Sequence, residues 1–189
     1  MRHLVPAISL LATISVAAAC TSGPVGADAR TTTSPAASVG ASRDLATLRR
    51  VVAPLHDFSA AQTAGWSAKI TACMADPTAG AMGFHYGNVG LIDGAVRVDE
   101  PELLLYEPEK NGQLRLVAVE YVLPYTFHPR DAAAPELFGQ QFKRNDRFQL
   151  WGLHASVGEE NPSGMFASWN PRVTCANTTD LDVAPMAHD

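Results

Sequence analysis

Charge, cysteine and catalytic signatures are all sparse in this 189-residue chain. It has no G-x-S-x-G elbow, no H-E-x-x-H pair, no Walker loop and no dinucleotide fingerprint following a strand. Those absences exclude most hydrolase and nucleotide-dependent classes, though not every enzyme. No basic block stands out and the net charge is −5, so no nucleic acid is expected as a partner. Only 17% of residues are charged, so the folded surface leans on neutral polar groups. No internal repeat and no heptad is present.

A run long enough to span a membrane is also missing. "LVPAISLLATISVAAA", after Arg2 and His3, falls short of the roughly 20 apolar residues a spanning helix needs. It ends in Ala17-Ala18-Ala19 before Cys20, the form of a secretory signal over 1–19. A cysteine directly after small residues adds a lipobox reading, in which Cys20 is lipidated and becomes the new N-terminus. Ala17 stands where such boxes usually carry leucine, and simple secretion is the alternative. Both readings place the protein outside the cytoplasm; the first makes the membrane a partner through a lipid anchor.

Residues 20–42 offer only Val25 and Val39 as sizeable apolar groups, too few to offset the entropy of ordering them. They read as a flexible tether. Residues 43–189 then make one domain, long enough for a core of its own. With Cys20 spent on lipid, Cys73 and Cys175 remain. Two cysteines in an oxidising compartment are expected to form one disulfide, the alternative being two free thiols.

Helical spacing comes first along the domain. Ser42 is a candidate N-cap, Leu45, Leu48, Val52 and Leu55 follow at helical intervals, and Pro54 ends or kinks the pattern. A short second helix restarts near Asp57 or Ser59. Short strands follow: "MGFHYGN", "LIDGAVRVD" with a tight turn at Asp93-Gly94, and "ELLLYE" joined to "QLRLVAVEYVL" through Asn111-Gly112 as a hairpin. Strict alternation in the last of these puts Leu114, Leu116, Ala118 and Glu120 on one face. Both faces are largely apolar, the pattern of a central strand covered on both sides. Residues 124–147 read as a long loop whose aromatics need a surface to cover, a lid being one role. "RFQLWGLHASV" alternates as a strand, and "RVTC" is expected to be a last short one. The sum is α+β: N-terminal helices packed on a curved antiparallel sheet in a single domain.

One constellation carries chemistry. His85, Glu120 and His154 each fall on an expected strand, and two imidazoles with a carboxylate suit a divalent transition metal such as zinc, iron or copper. The same trio suits acid–base work or the polar end of a small-ligand pocket, with Tyr86 and Tyr121 as candidate lining. Against these stands a plainer account, a buried polar network with no ligand. The leading functional expectation is a tethered module binding a small molecule or an envelope partner; a metal-dependent enzyme is the alternative.

The succession "AGAMGFHYGN", "PELLLYEPEKNGQLRLVAVEYVLP", "LFGQQF", "LWGLHASV" and "NPSGMFASWNPRVTC" resembles a group of bacterial exported proteins of unknown function. The resemblance covers about 73–175. In that group the second histidine motif often reads Leu-His-Val-Trp; here it is Leu153-His154-Ala155-Ser156. The resemblance implies export, an intact fold and paired cysteines, and it carries no mechanism.

Overall fold

A computed structural model describes residues 35–183, with side chains from 38 to 182. The expected signal over 1–19, Cys20 and the tether as far as residue 34 lie outside the described residues. Helix α1 spans Pro35–Val52, a 3₁₀ turn covers Ala53–His56, and α2 spans Phe58–Thr63. The expected N-cap at Ser42 is therefore inside α1, where its hydroxyl donates to the Ser38 carbonyl at 2.9 Å. A dearth of large apolar residues limits burial, not helix formation, and Pro35 is preset for a first helical turn. Pro54 does end the α-helix, and Asp57 caps α2 by accepting from the Ser59 and Ala60 amides.

The strands are β1 Ala68–Lys69, β2 Cys73–Asp76, β3 Gly80–Gly87, β4 Leu103–Pro108, β5 Leu114–Pro124, β6 Glu136–Leu137, β7 Gln140–Gln141, β8 Lys143–Asn145, β9 Leu150–Ala155 and β10 Leu181–Val183. The main sheet runs β10-β2-β3-β4-β5-β9-β8, with β1 also paired to β3, and it curls into an open half-barrel. Its pairings are antiparallel except β10 beside β2. The expected fold class holds in this coarser form, an antiparallel-dominated sheet with a few helices.

Three expected segments differ. Residues 91–99 form no strand: Asp93 turns the chain by accepting the Ala95 amide and pairing with Arg97. "RVTC" is not a strand either. Its Val173 and Cys175 are buried, while the edge beside Cys73 is taken by β10. The long loop contains β6, β7 and β8, and Phe138 and Phe142 are buried in the core.

The hairpin β4–β5 forms as expected, with Gly112 at φ 80 in its turn. β5 lies between β4 and β9 and is buried along most of its length. Its alternation is broken once. Leu105 pairs with Ala118 and Tyr106 with Leu116, so Val117 is an extra residue and the faces change phase there. The Val117 carbonyl accepts the Gly158 and Glu159 amides, which occupies the group the bulge frees. Leu116 consequently shares a buried cluster with Leu104, Tyr106, Val119, Tyr121 and Leu153. Ala118 and Val122, which flank Glu120, share the other with Leu103, Leu105 and Val173.

Cys73 and Cys175 form a disulfide between the start of β2 and the segment after Val173, both sulfurs in that second cluster. Nearby, Glu107 accepts from the Thr174 amide at 2.8 Å and pairs with Arg115, which also binds Glu159 at 2.6 Å. The C-terminal segment is thus fixed to the β4–β5 hairpin by both covalent and polar contacts. Among the described residues, no helix is long and apolar enough to cross a membrane.

Candidate functional site

Three strands deliver the three candidate residues to one place. Glu120 on β5 pairs directly with His154 on β9 and with Leu103 on β4. His85 on β3 pairs with Leu105, one step diagonally along the same face. The bulge at Val117 sets this phase: it leaves Glu120 in the second cluster's face with Ala118, and sends Leu116 to the opposite one. The expectation that Glu120 shares its face with Leu116 is corrected accordingly.

One ligand atom from each residue lies within 4.8 Å of the other two, and all three residues are buried. His85 Nε2 stands 3.5 Å from Glu120 Oε2, and His154 Nε2 stands 3.7 Å from Glu120 Oε1. Both gaps are longer than a normal hydrogen bond. The imidazole rings are 6.2 Å apart and edge-on. His154 Nε2 is fully enclosed and, among the described residues, is the buried side-chain nitrogen or oxygen left without a partner.

Burial governs the charges. It lowers the His85 imidazole to about 4, and lowers His154 to about 3 with help from His85 and Lys143. It raises the Glu120 carboxyl to about 8, with the Glu102 carboxyl adding to the effect. In the free protein at neutral pH, both imidazoles therefore keep a ring lone pair and Glu120 holds a proton. Glu102 is itself buried and raised to about 7, and its carboxylate accepts the Val122 amide at 3.1 Å.

Two residues that sequence reasoning missed shape the site. Between β1 and β2 the chain leaves the sheet for a few residues, and the Ile70 amide donates to the His85 carbonyl at 2.8 Å. That places the Thr71 hydroxyl 2.9 Å from His85 Nδ1, while the same oxygen lies 3.3 Å from the His85 amide that donates to it. Gly152, on β9, is the second. A Cβ there would come within 2.8 Å of Glu120 Oε1. A glycine interrupting an apolar strand was the available signal for Gly152; Thr71 carries none.

The trio lies at the wall of a cavity of about 450 Å³, a volume in the small-ligand range. Met74, Met82, Leu103, Phe148, Leu150 and Trp169 are the larger apolar residues of its lining, which also includes Asp76, Asn145 and Asp146. Lys143, Arg144 and Arg147, expected as a solvated loop face, contribute to the lining; Arg144 lies over the Trp151 ring and Arg147 pairs with Asp182 at 2.7 Å. Tyr86 and Tyr121 are not among the lining residues. Tyr86 packs edge-on to Phe58 and Tyr106, and the Tyr121 hydroxyl donates to the Val98 carbonyl at 2.7 Å. Tyr121 belongs to the first cluster, on the sheet's other face, and Tyr86 packs against both clusters.

The Trp169 wall is held by two asparagines that precede prolines. Asn161 Nδ2 donates to the Ala167 and Trp169 carbonyls, and Asn170 Nδ2 donates to the Glu160 carbonyl. Asn170 also bridges to Ala81 through paired backbone hydrogen bonds, which docks this turn-rich segment against β3.

Compared with known protein families, curated proteins and solved structures, the chain matches none.

Proposed function

We propose that this protein is an exported small-ligand-binding module, tethered to a membrane through lipid on Cys20, with the cavity beside His85, Glu120 and His154 as its binding site. One observation carries this reading: a ligand-sized cavity of mixed apolar and charged lining contains three buried polar side chains that make no hydrogen bond with one another. A concave site of this size that combines apolar side chains with convergent polar groups has the make-up of a small-molecule site. Lys143, Arg144 and Arg147 line the cavity together with Asp76 and Asp146, so its rim offers charge of both signs to a polar ligand.

Export rests on the signal-type N-terminus, and the Cys73–Cys175 disulfide is compatible with an oxidising compartment. The resemblance to bacterial exported proteins belongs to the same reading. So does the role of α1 and α2 as a cover for one sheet face, supported by Leu48, Val52, Leu55 and Ala61 sharing a cluster with Leu104 and Tyr106. The cavity lies on the other face.

A second reading, a metal-dependent enzyme, is favoured by the convergence of three ligating atoms.

Thermal-shift screening of small carboxylates, phosphates and envelope fragments tests the binding reading. Compounds that raise the melting temperature of the native chain should fail with Met82→Trp, which fills the cavity. A library without hits, or hits unaffected by Met82→Trp, counts against this site.

A further inference from the structure

We propose that His85, Glu120 and His154 together ligate one divalent transition-metal ion, with its remaining coordination positions open to the cavity. The inference deepens the reading of this cavity as a binding site, yet it requires no organic ligand to enter.

Spacing is the first argument. Ligands held about 2.0–2.1 Å from a tetrahedral zinc ion lie roughly 3.3 Å from each other. The carboxylate–imidazole gaps are 3.5 and 3.7 Å, and the whole set spans no more than 4.8 Å. The two shorter gaps reach different oxygens of Glu120, so the set closes around an ion by a turn of that carboxylate or by its binding through both oxygens, with the wider separations closing from the 4.8 Å limit by up to about 1.5 Å. The same gaps are too long for direct hydrogen bonds, so a purely internal network leaves these groups short of contact.

His154 Nε2 points the same way. It is enclosed, it points at Glu120, and it has no hydrogen-bond partner. Buried polar atoms are nearly always satisfied, and an ion between these side chains satisfies this one.

Thirdly, the surroundings orient the ligands. Thr71 Oγ1 beside His85 Nδ1 leaves Nε2 free to face Glu120. Such an outer hydrogen bond fixes the ring and tautomer of a ligating histidine. Gly152 leaves the volume that Glu120 Oε1 occupies. Thr71 and Gly152 are positioning residues in this scheme.

Two imidazoles and one carboxylate favour zinc, iron(II), nickel or copper over magnesium and calcium, which prefer all-oxygen sites. Three protein ligands at a cavity wall leave room for a further one from solvent or a small molecule. Open sites of this type bind or activate ligands, whereas closed four-residue sites are structural.

The test is a calorimetric titration of the full chain, free of histidine tags and stripped with a chelator, using zinc and cobalt(II). Expected are one ion per chain and a cobalt ligand-field spectrum in the visible. His154→Gln and His85→Gln should each weaken binding by roughly 100-fold or more, and magnesium should not compete. Circular dichroism of the metal-free variants checks that they fold. Should either fail to fold, Gly152→Ala and Thr71→Val provide the comparison, each expected to weaken binding by about tenfold. No stoichiometric uptake, or uptake equally tight in the folded variants, overturns the proposal. Metal uptake without any small-molecule hit leaves the ion site standing and removes the ligand reading; a cavity that takes small molecules but no ion does the reverse.

Discussion

Gly152 stands where any side chain would collide with the Glu120 carboxyl: a Cβ at this position would lie 2.8 Å from Oε1. Its backbone is ordinary extended strand, so an alanine suits the local conformation and its effect is confined to the contact. Gly152→Ala should leave the unfolding free energy within about 1 kcal/mol of the native chain, because Glu120 can rotate. The same rotation should lower zinc affinity by about tenfold, measured by calorimetry on both proteins. Equal affinity would separate Glu120 from the ion.

The pH dependence of stability follows from the buried groups. Glu120 at about 8 and Glu102 at about 7 sit above their ordinary value of 4.5. From pH 4.5 up to those values the folded chain keeps protons that the unfolded chain has released, so their contribution to stability falls as pH rises. His85 at about 4 and His154 at about 3 sit below their ordinary 6.5, so the unfolded chain gains protons the folded one refuses as pH falls from 6.5. The opposing slopes roughly cancel between 4.5 and 6.5, and the carboxyl effect stands alone above that. Metal-free protein should therefore lose stability from about pH 6.5 to 8. Glu120→Gln should reduce that loss, as read by urea midpoints across the range. An identical alkaline limb in the variant would mean that Glu120 is ionised in the folded chain.

The disulfide joins residues 102 apart in sequence. Closing a loop of that size restricts the unfolded chain, worth about 4–5 kcal/mol in the chain-entropy model. Cys73→Ser with Cys175→Ser should lower the unfolding free energy by that order. Denaturant titration of oxidised and double-variant protein checks it; a difference under about 1 kcal/mol would mean the unfolded chain is already compact there.

Tyr106 on β4 ties the sheet to the segment after α1, its hydroxyl donating to the Leu55 carbonyl at 2.6 Å. Tyr106→Phe keeps the ring contacts with Phe58 and Tyr86 and leaves a buried carbonyl unpaired. The expected cost is about 1–3 kcal/mol, read by chemical unfolding. A neutral substitution would argue that the helical segment is not held against this strand.

What could be read in the sequence was local. The hairpin at Asn111-Gly112, the alternation of β9 and the restart of helix at Asp57 depend on short-range patterns, and they stand; the disulfide stands too, because only two cysteines were left to pair. The bulge at Val117 depends on an amide pair from Gly158 and Glu159, some forty residues on, so strict alternation misassigned Leu116. β8 and β10 are three-residue edge strands, too short to stand out as a pattern; each exists through its neighbour, β9 or β2. For the candidate site, the trio was legible because imidazoles and carboxylates on strands are conspicuous. Tyr86 and Tyr121 were misplaced because adjacent strand residues face opposite ways, and both neighbour a trio member, His85 or Glu120. Thr71 was invisible, since its position follows from the break between β1 and β2.

The ion site is tested most directly by anomalous diffraction at the zinc edge from crystals of the zinc-loaded chain. A single strong peak between His85 Nε2, Glu120 and His154 Nε2, about 2.0–2.2 Å from each ligand atom, is the expected result. Crystals that carry zinc elsewhere while only a water or nothing separates these three side chains would contradict it.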